Sequence, residues 1–182
     1  MEKLKFKKLN IIENNEDGTT TTIESNAVLP TKAHPTDAGY DLTATRLTQE
    51  LDEAGKVILV YHTDLAVQIP EGYVGLLLMR SSGSKKSIML ANCVGVIDSG
   101  YMGELMMKFK ITTDALPIVY QLGERIGQLV IVPCYQAETE LVEELEETIR
   151  GEGGFGSTNI EEDEHNDGQS DSGDCKVPEH NR

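Results

Sequence analysis

The chain has 182 residues, and its 31 Asp and Glu against 16 Lys and Arg give a formal charge of −15 at neutral pH, which argues against general binding to nucleic acid. It contains no apolar run of roughly 18 residues and starts with the charged sequence MEKLKFKKLN, so we expect neither a membrane span nor a secretory signal, but a cytoplasmic protein with one domain and an appendage. Three cysteines without a C-x-x-C pair (Cys93, Cys134 and Cys175) favour a reducing compartment over a disulfide framework or a zinc site.

Short segments rich in Val, Ile, Leu and Thr alternate with turn sequences along the body of the chain. They predict strands at residues 20–23, 40–44, 56–60, 65–69, 73–79, 88–91, 104–111, 117–120 and 125–132. Many short strands at roughly 8–12-residue spacing are typical of an all-β sandwich or barrel. The run from Leu76 to Met79 does not alternate, which predicts a strand buried on both faces or at a subunit contact.

Three other segments lie outside this regular pattern. Residues 10–25, around Asp17-Gly18, are expected to form an extra hairpin. Residues 138–149 carry apolar residues at helical spacing among glutamates, which fits a short amphipathic helix, although we favour a strand running into a loop. Residues 160–182 hold eight acids against two cations and few large apolar residues, so we expect a disordered acidic tail, solvated rather than bound to a protein partner. The preceding residues still carry −9, so an anionic ligand must be held by local cations or a metal ion.

Two segments combine an acid or a base with turn residues at the edge of a predicted strand. In residues 36–44, TDAGYDLTA, Asp41 follows a glycine and an aromatic residue. In residues 79–86, MRSSGSKK, Arg80 and its neighbours supply guanidinium, hydroxyl and backbone N–H donors within a short span. Such donors suit phosphate oxygens. A solvated basic loop would explain the second segment equally well.

A Gly-rich hairpin at residues 92–105, NCVGVIDSGYMGEL, contains Asp98 three residues before Tyr101. An acid at a strand end is a good candidate for a positioned base, and a nearby aromatic ring could form the wall of a site for a small ring-shaped substrate. Ordinary turn chemistry is the alternative for Asp-Ser-Gly. The apolar residues before the acid predict a buried strand, and they are Val94, Val96 and Ile97.

Two segments near the end of the body carry further polar and glycine residues. In residues 123–133, GERIGQLVIVP, Gln128 lies in a core strand and needs a hydrogen-bond partner. Residues 150–159, RGEGGFGSTN, formally match G-x-G-x-x-G, but no strand–helix unit surrounds them, so a dinucleotide site is excluded. A flexible strap remains, whose glycines allow close approach to phosphates and whose single ring, Phe155, could stack on a base.

Together and in this order, these five segments resemble the five motifs of the trimeric dUTP diphosphatases (dUTPases). The similarity spans residues 30 to 159, through AGYDL, RSS…K, GVIDSGY.GE, GERIGQ and RGEGGFGST. The resemblance implies a jelly-roll-like, distorted β-barrel that forms a homotrimer with active sites at subunit interfaces. It also implies hydrolysis of dUTP to dUMP and pyrophosphate with Mg²⁺. We therefore expect a dUTPase-like domain at residues 1–159, including the strap, followed by the tail at residues 160–182.

The resemblance also implies roles for individual residues. Asp98 would be the general base that activates water for attack on the α-phosphorus. Tyr101 would pack under the deoxyribose and leave no room for a 2′-hydroxyl. Asp41 corresponds to an acid that acts through magnesium-bound water. The uracil pocket would contain Asn92, Gly95, Val96, Ile97 and Met106, and the phosphates would contact Arg80, Ser81, Ser82 and Gln128. In the strap, Arg150 would bind the γ-phosphate and Phe155 would stack on uracil. The strap residues that close over the triphosphate would be Gly156, Ser157 and Thr158.

This chain departs from the family pattern at two motif positions. Met102 stands where the family usually has Arg or another polar residue, and Asn159 replaces the usual final glycine. Two alternatives fit the residues less well. A dCTP deaminase shares the fold and the Arg-Ser-Ser motif, but its catalytic glutamate corresponds to Lys108 here. A nucleotide-sensing β-barrel module without activity is less favoured because Asp98 and Tyr101 are intact.

Overall fold

The structure, a computed structural model, describes residues 3–149 and residue 151, and the described residues are all-β, as the sequence predicts. Nothing longer than one short 3₁₀ helix, η1 (Ser81–Lys85), interrupts the strands of this part of the chain. The strands are β1 (Lys5–Lys8), β2 (Ile11–Asn14), β3 (Thr20–Ile23), β4 (Gly39–Thr43), β5 (Arg46–Leu51), β6 (Val57–His62), β7 (Leu65–Gln68), β8 (Tyr73–Leu78), β9 (Ile88–Leu90), β10 (Gly95–Ile97), β11 (Met106–Ile111) and β12 (Arg125–Pro133).

Two four-stranded antiparallel sheets form the body of the protein. One has the strand order β10-β8-β12-β4 and the other β5-β6-β11-β9, while β1 pairs with β7 and β2 with β3. The hydrophobic core takes residues from both four-stranded sheets. At its centre, the ring of Tyr61 makes edge contacts with Phe109 and Tyr120, with ring centroids 5.6 and 6.1 Å apart. Aromatic pairs prefer such edge-to-face geometry because the positive ring edge meets the negative face.

Most of the predicted strands are present with bounds that differ by one or two residues. The strand predicted at 20–23 has those bounds, and the hairpin predicted within 10–25 is confirmed as β2–β3, with a turn in which Gly18 has φ +79°. Two strands were not predicted, β1 and β5. The β5 sequence, RLTQEL, is mostly polar, and the strand lies at a sheet edge where most of its side chains are exposed.

The strand predicted at residues 117–120 is wrong. Among the described residues, the only backbone–backbone hydrogen bond of that segment is from the Ser87 N–H to the Ile118 carbonyl at 2.8 Å. Its other backbone partners are side chains: the Ser87 hydroxyl, Lys86 Nζ and the Tyr61 hydroxyl. A strand needs a repeated ladder, and here a single residue pairs. Tyr120, which made the segment look strand-like, is buried as an anchor for the loop.

Burial along β8 and β10 differs from the sequence prediction. In β8, Leu77 faces the core while Leu76 and Leu78 are half-buried, so the strand is not buried on both faces within one chain, and the alternative of a subunit contact stays a prediction. In the hairpin, Ile97 is buried, but Val94 and Val96 are exposed, Val96 by 62%. The predicted buried strand is therefore buried on one face only.

The chain divides into two compact units, Met1–Glu138 and Thr139–Arg182, and every strand of the described residues belongs to the first. Residues 138–149 form neither the helix nor the strand considered from the sequence. Leu141, Leu145 and Ile149 are exposed, and a short helix that buries no apolar face is marginal in water. No helix in the described part of the chain is long and apolar enough to cross a membrane.

Candidate active site

A cavity of about 250 Å³ lies under the hairpin that joins β10 to β11. Its walls come from β8, β9, β10 and β11 and from the turns between them. The lining residues are Leu77, Leu90, Ala91, Asn92, Gly95, Ile97, Tyr101, Glu104, Met106, Met107 and Lys108. Five of the residues expected to meet the nucleobase and sugar are therefore brought together. Val96 is not among them because its side chain points out of the sheet.

Gly95 allows β10 to pass close to β8 at this cavity. A Cβ at Gly95 would lie 3.0 Å from the Leu77 Cβ, which is tighter than ordinary van der Waals contact. The turn that precedes it contains Cys93 at φ +61°, in the left-handed region that non-glycine residues rarely adopt. At Gly95 the hairpin therefore presents its backbone to the cavity, which Ile97 and Tyr101 of the same hairpin also line.

Asp98 follows the end of β10, one residue beyond Ile97, which lines the cavity. Its main-chain carbonyl accepts a hydrogen bond from the Tyr101 N–H at 3.0 Å, which closes the turn. Its side chain is exposed. In the part of the chain that the structure describes, the Asp98 carboxylate has no hydrogen bond or ion pair, so both of its oxygens can accept a proton from bound water.

The ring of Tyr101 is held at the rim of the cavity by its own hairpin. The phenol hydroxyl donates to the Glu104 carbonyl at 3.0 Å, and 39% of the residue remains exposed. The ring lies so close to Gly103 that any Cβ there would overlap its hydroxyl and Cζ atoms. Glycine at position 103 thus allows the ring to lie flat against the backbone.

A second group of predicted residues meets at the opposite edge of the same sheet, around the carboxylate of Asp41. The Arg80 Nε donates to Asp41 Oδ1 at 2.7 Å, and the Arg125 Nη1 donates to Asp41 Oδ2 at 2.9 Å. The Asp41 side chain is largely buried, and charge-assisted bonds of this kind are about twice as strong as neutral ones. Asp41 therefore orients two guanidinium groups, one of them the expected phosphate ligand Arg80.

Gln128 lies in the central strand β12 and bonds to the loop that follows β8 and carries Arg80. Its Nε2 donates to the Met79 carbonyl at 3.1 Å, which is the partner that the sequence required. Its amide fills the space beside Gly39, where a Cβ would overlap the Gln128 side chain. Next to it lies a cavity of about 300 Å³, lined by Ala33, Asp37, Ala38, Gly39, Asp41, Arg80, Ser81 and Gln128.

The serines of the phosphate segment lie in η1 and are exposed. Arg80 Nη1 reaches the Ser82 hydroxyl at 3.4 Å, and the Ser84 hydroxyl donates to the Ser81 carbonyl at 2.8 Å. Gly83 is buried in the same turn because it packs against Met79 and Tyr120. Arg80 and Ser81 thus line the cavity beside Gln128, whereas Ser82 lies with Arg80, Lys85 and Lys86 at a neighbouring cavity.

The two groups lie at opposite ends of one sheet. β10 runs antiparallel to β8, with Gly95 opposite Leu77 and Ile97 opposite Gly75. Extending that register puts Asp98 beside Val74, near the start of β8, whereas Arg80 follows the end of β8. The distance from Val74 to Leu78 is already about 13 Å of strand. Asp98 and Arg80 therefore lie at opposite ends of β8 within one copy of the chain.

Five of the expected site residues lie outside the described residues: Arg150, Phe155, Gly156, Ser157 and Thr158. Their expected roles stay predictions. Within residues 3–149 and 151 there is also no group of three or more His, Cys, Asp or Glu side chains that could hold a metal ion.

The sequence did not point to the ionic cluster beneath the hairpin, which consists of Arg46, His62, Asp64 and Glu104. Asp64 is 2% exposed and has φ +51°. Burial raises the pKa of Asp64, but hydrogen bonds from neighbouring side chains and the charge of Arg46 outweigh it, so that its pKa is below the ordinary value. An aspartate next to a β strand carries no sequence signal for burial or for a left-handed backbone.

Comparisons with known proteins place these features in one family. The model of the dUTPase family matches residues 25–159. A deoxyuridine 5′-triphosphate nucleotidohydrolase of Desulfitobacterium hafniense (strain DSM 10664 / DCB-2) is 44% identical over 135 residues, which cover 72% of this chain and 87% of the relative. Its counterpart from Cutibacterium acnes (strain DSM 16379 / KPA171202) is 37% identical over 145 residues, which cover 79% and 93%.

Solved structures are similar over most of the chain. A mutant dUTPase of Staphylococcus bacteriophage 80alpha with dUpNHpp has a TM-score of 0.68 and 33% identity, covering 88% of this chain and 100% of that chain. A mutant dUTPase from phage phi11 of S. aureus, described with a structural Mg(II) ion, has a TM-score of 0.59 and 30% identity, covering 79% and 98%.

Proposed function

The chain belongs to the dUTPase family of hydrolases, and we propose that it converts dUTP to dUMP and pyrophosphate, with Asp98 as the general base, in a site completed by a second copy of the chain. Conversion of dUTP to dUMP removes dUTP from the nucleotide pool and supplies dUMP for thymidylate synthesis. The observation that carries the proposal is the position of Asp98: an exposed carboxylate without a partner among the described residues, one residue beyond the wall of a cavity lined by Asn92, Gly95 and Tyr101.

The proposed reaction begins with a water molecule between Asp98 and the α-phosphorus. The carboxylate takes a proton from this water as its oxygen bonds to phosphorus. The bond between the α-phosphorus and the bridging oxygen breaks, and pyrophosphate leaves with the electron pair. A positioned base of this kind contributes about 10²–10⁴-fold to a rate. In phosphoryl transfer most of the remaining effect comes from geometry and from cations around the phosphate oxygens.

The nucleoside half of the substrate fits the cavity under the hairpin. Asn92 and the backbone of Gly95 and Ile97 would offer hydrogen-bonding groups to the edge of a pyrimidine, and Met106 would add an apolar wall. Tyr101 would support the deoxyribose from its place at the rim. A ring held against Gly103 cannot easily withdraw, which supports steric exclusion of a ribose 2′-hydroxyl.

The triphosphate half is proposed to meet Arg80, Ser81, Ser82 and Gln128 of another copy. The Arg80 guanidinium donates its Nε to Asp41 and keeps other N–H groups free for a phosphate. Gln128 would act first by holding the Met79 carbonyl, and so the start of this loop, in place. Because Arg80 and Asp98 lie at opposite ends of β8 within one chain, we infer a site shared between copies, which agrees with the homotrimer that the resemblance implies.

The donor set fits Mg²⁺ held mainly by the substrate. Mg²⁺ usually keeps several waters and binds through one or two carboxylates plus substrate phosphates, rather than in an all-protein cage. The Asp41 oxygens each accept one guanidinium bond and retain a lone pair for a metal-bound water. The ion, when bound, would neutralise charge on the phosphate oxygens. The phi11 relative is described with a structural Mg(II) ion.

The strap residues are proposed to bind the substrate from their chemical types. Arg150 would pair with the γ-phosphate, Phe155 would stack on uracil, and Gly156, Ser157 and Thr158 would close over the phosphates. A segment that orders over bound substrate would exclude water from the site.

Hydrolysis of four different nucleotides tests the proposed function directly. Release of pyrophosphate from dUTP, dTTP, dCTP and UTP should be measured with Mg²⁺ present, and dUTP should be hydrolysed far faster than the other three. UTP should be rejected because Tyr101 occupies the space of its 2′-hydroxyl. Ammonia release from dCTP would instead support a deaminase, against which Lys108 argues because its ammonium is bonded to Glu50 at 2.6 Å. Absence of turnover of every nucleotide would contradict the proposal.

A further inference from the structure

Four charged or titratable side chains form a cluster beneath the hairpin, and we call Arg46, His62, Asp64 and Glu104 the hairpin anchor. The Arg46 Nε and Nη2 lie 2.9 and 2.8 Å from Asp64 Oδ1. The His62 Nδ1 lies 3.0 Å from Glu104 Oε2 and 3.1 Å from Arg46 Nη2. The anchor joins β5, β6, the start of β7 and the hairpin, so that it connects the hairpin to the body of the protein.

Glu104 is the member of the anchor that belongs to the hairpin. Its Oε1 accepts a hydrogen bond from the Asp64 N–H at 2.9 Å, and its Oε2 lies 3.6 Å from Arg46 Nη2. Its main-chain carbonyl accepts the hydroxyl of Tyr101 at 3.0 Å. The same residue thus holds the body with its carboxylate and the substrate-facing ring with its backbone.

Leu105 fixes the main chain on the C-terminal side of Glu104. The Leu105 N–H donates to the Leu65 carbonyl at 2.8 Å, and the Leu105 carbonyl accepts the Thr63 hydroxyl at 2.7 Å. The peptide plane between Glu104 and Leu105 carries the carbonyl that binds Tyr101. The Leu105 N–H lies in this same plane, which is therefore restrained by its bond to Leu65 and by the Glu104 side chain, while the Thr63 hydroxyl restrains the next plane.

Asp64 shows that the anchor is held under strain. Its left-handed backbone, at φ +51°, is unfavourable for a non-glycine residue and persists only where the surroundings determine it. Those surroundings are the two bonds from Arg46, the Ser25 hydroxyl at 3.2 Å and the acceptor Glu104 Oε1. Strained residues of this kind cluster at sites where a precise geometry is needed.

We propose that Glu104 is a positioning residue that sets the rejection of ribonucleotides, by fixing the carbonyl that holds the Tyr101 hydroxyl; this rests on the proposed function. The position of the ring decides whether a 2′-hydroxyl fits, and a rigid ring rejects more strongly than one that can shift. Loss of the Glu104 carboxylate removes one restraint on the carbonyl, while the Leu105 N–H still bonds to Leu65, and lets the ring shift away from the sugar. Activity on dUTP then falls moderately, whereas activity on UTP rises.

The test compares Glu104→Gln and Glu104→Ala with the unmodified protein, using kcat and KM for dUTP and UTP. Glu104→Ala should lower the ratio of kcat/KM for dUTP to that for UTP by about 10-fold or more, since misplacement by an ångström costs up to about 100-fold. Glu104→Gln keeps an acceptor for the Asp64 N–H and should recover part of this ratio. Tyr101→Phe should lower the ratio, and adding Glu104→Ala to it should have little further effect because both act through one hydrogen bond.

Asp52→Ala is the matched control. Asp52 Oδ1 accepts the N–H groups of Ala54 and Lys56 at 3.0 and 2.9 Å, in the turn at the far end of the β5–β6 pair. Its removal should lower Tm and leave the dUTP-to-UTP ratio unchanged. If the Glu104 variants lose stability as Asp52→Ala does but keep the ratio, Glu104 is merely structural and the inference is wrong.

Two outcomes distinguish failure of the proposed function from failure of the inference about Glu104. If the unmodified protein does not hydrolyse dUTP, the proposed function fails rather than this inference. If Glu104→Ala does not fold, Glu104→Gln and Tyr101→Phe decide the matter, and an unchanged ratio in both overturns the role of Glu104.

Discussion

Two aspartates of the candidate site differ in what surrounds their carboxylates, and this difference separates their roles. Asp41 is bonded by two guanidinium groups, at 2.7 and 2.9 Å. Asp98 is exposed and has no such partner among the residues that the structure describes. The Asp41 oxygens are occupied by two guanidinium groups, whereas the Asp98 oxygens are open to a water molecule. Asp98 is therefore the better candidate for the base, and Asp41 for a residue that orients Arg80.

The first residue-scale prediction concerns Asp98→Asn. Asparagine keeps the size of the side chain but cannot accept the proton, so kcat for dUTP should fall by roughly 10²–10⁴-fold while the affinity for a non-hydrolysable dUTP analogue changes little. Pyrophosphate release and calorimetric titration would measure the two effects. Asp114→Asn, an exposed acid remote from the hairpin, is the control and should retain full turnover. Full activity of Asp98→Asn would remove Asp98 from the mechanism.

At the scale of elements, the hairpin between β10 and β11 depends on strands distant in sequence. Gly95 is pressed against Leu77 of β8, and Glu104 reaches Asp64 and His62 at the end of β6. Arg46, on the edge strand β5, completes this support. The rim of the nucleoside cavity is thus fixed by the pairing of β5, β6 and β11 and by the packing of β10 on β8.

The element-scale prediction concerns Asp64→Asn and acid stability. The pKa of Asp64 in the folded protein is below its ordinary value of 3.8, so the stability it contributes is fully present above pH 3.8 and is lost as the pH falls through the lower value. The variant should lose about 1–3 kcal/mol of unfolding free energy at pH 7, because hydrogen bonds to a buried charge are removed. Below pH 3.8 its difference from the unmodified protein should shrink.

Thermal unfolding between about pH 7 and pH 2 would measure this effect. Glu13→Gln, on the exposed hairpin β2–β3, is the control and should leave the curve unchanged. A difference that stays constant across the acid range would show that the charge of Asp64 does not stabilise the fold.

At the scale of the whole molecule, the two halves of the site lie at opposite ends of one sheet. The proposed shared site would take Asp98 from one copy of the chain and Arg80 from another. Closed cyclic symmetry would repeat the same interface around the assembly, and each interface would then hold one site. The formal charge of −15 also explains why cations have to be gathered locally around the phosphates.

Mixing two inactive variants tests this arrangement. Asp98→Asn and Arg80→Ala should each be inactive alone, but co-assembled oligomers should regain activity at about one quarter of their sites, because random assortment gives that fraction of interfaces with both groups intact. Pyrophosphate release from co-expressed mixtures, compared with mixed preformed oligomers, would measure the recovery. Light scattering would report whether the assembly is a trimer. A monomer, or mixtures without activity, would contradict the shared site.

Much of the fold was predictable because it depends on local patterns. The strand at 20–23, the hairpin around Asp17-Gly18 and the long strand β12 follow from alternation and turn residues. The strand predicted at 117–120 was wrong because the segment is a loop, anchored by Tyr120, that forms no ladder. Strand β5 was not predicted because an edge strand can be polar. Residues 138–149 have the spacing of a helix, but the exposed Leu141, Leu145 and Ile149 bury no apolar face that would stabilise one.

The sequence by itself determined the family and the chemical types at the site, because five segments in a fixed order carry the acid, the ring, the cation and the glycines. Only the tertiary structure decided how those residues are held: Asp41 between two arginines, Gln128 on the Met79 carbonyl, and Tyr101 on a carbonyl anchored through Glu104. These contacts join residues separated by up to 84 positions in the chain. Strand register sets their distances, and no local pattern of residues encodes that register.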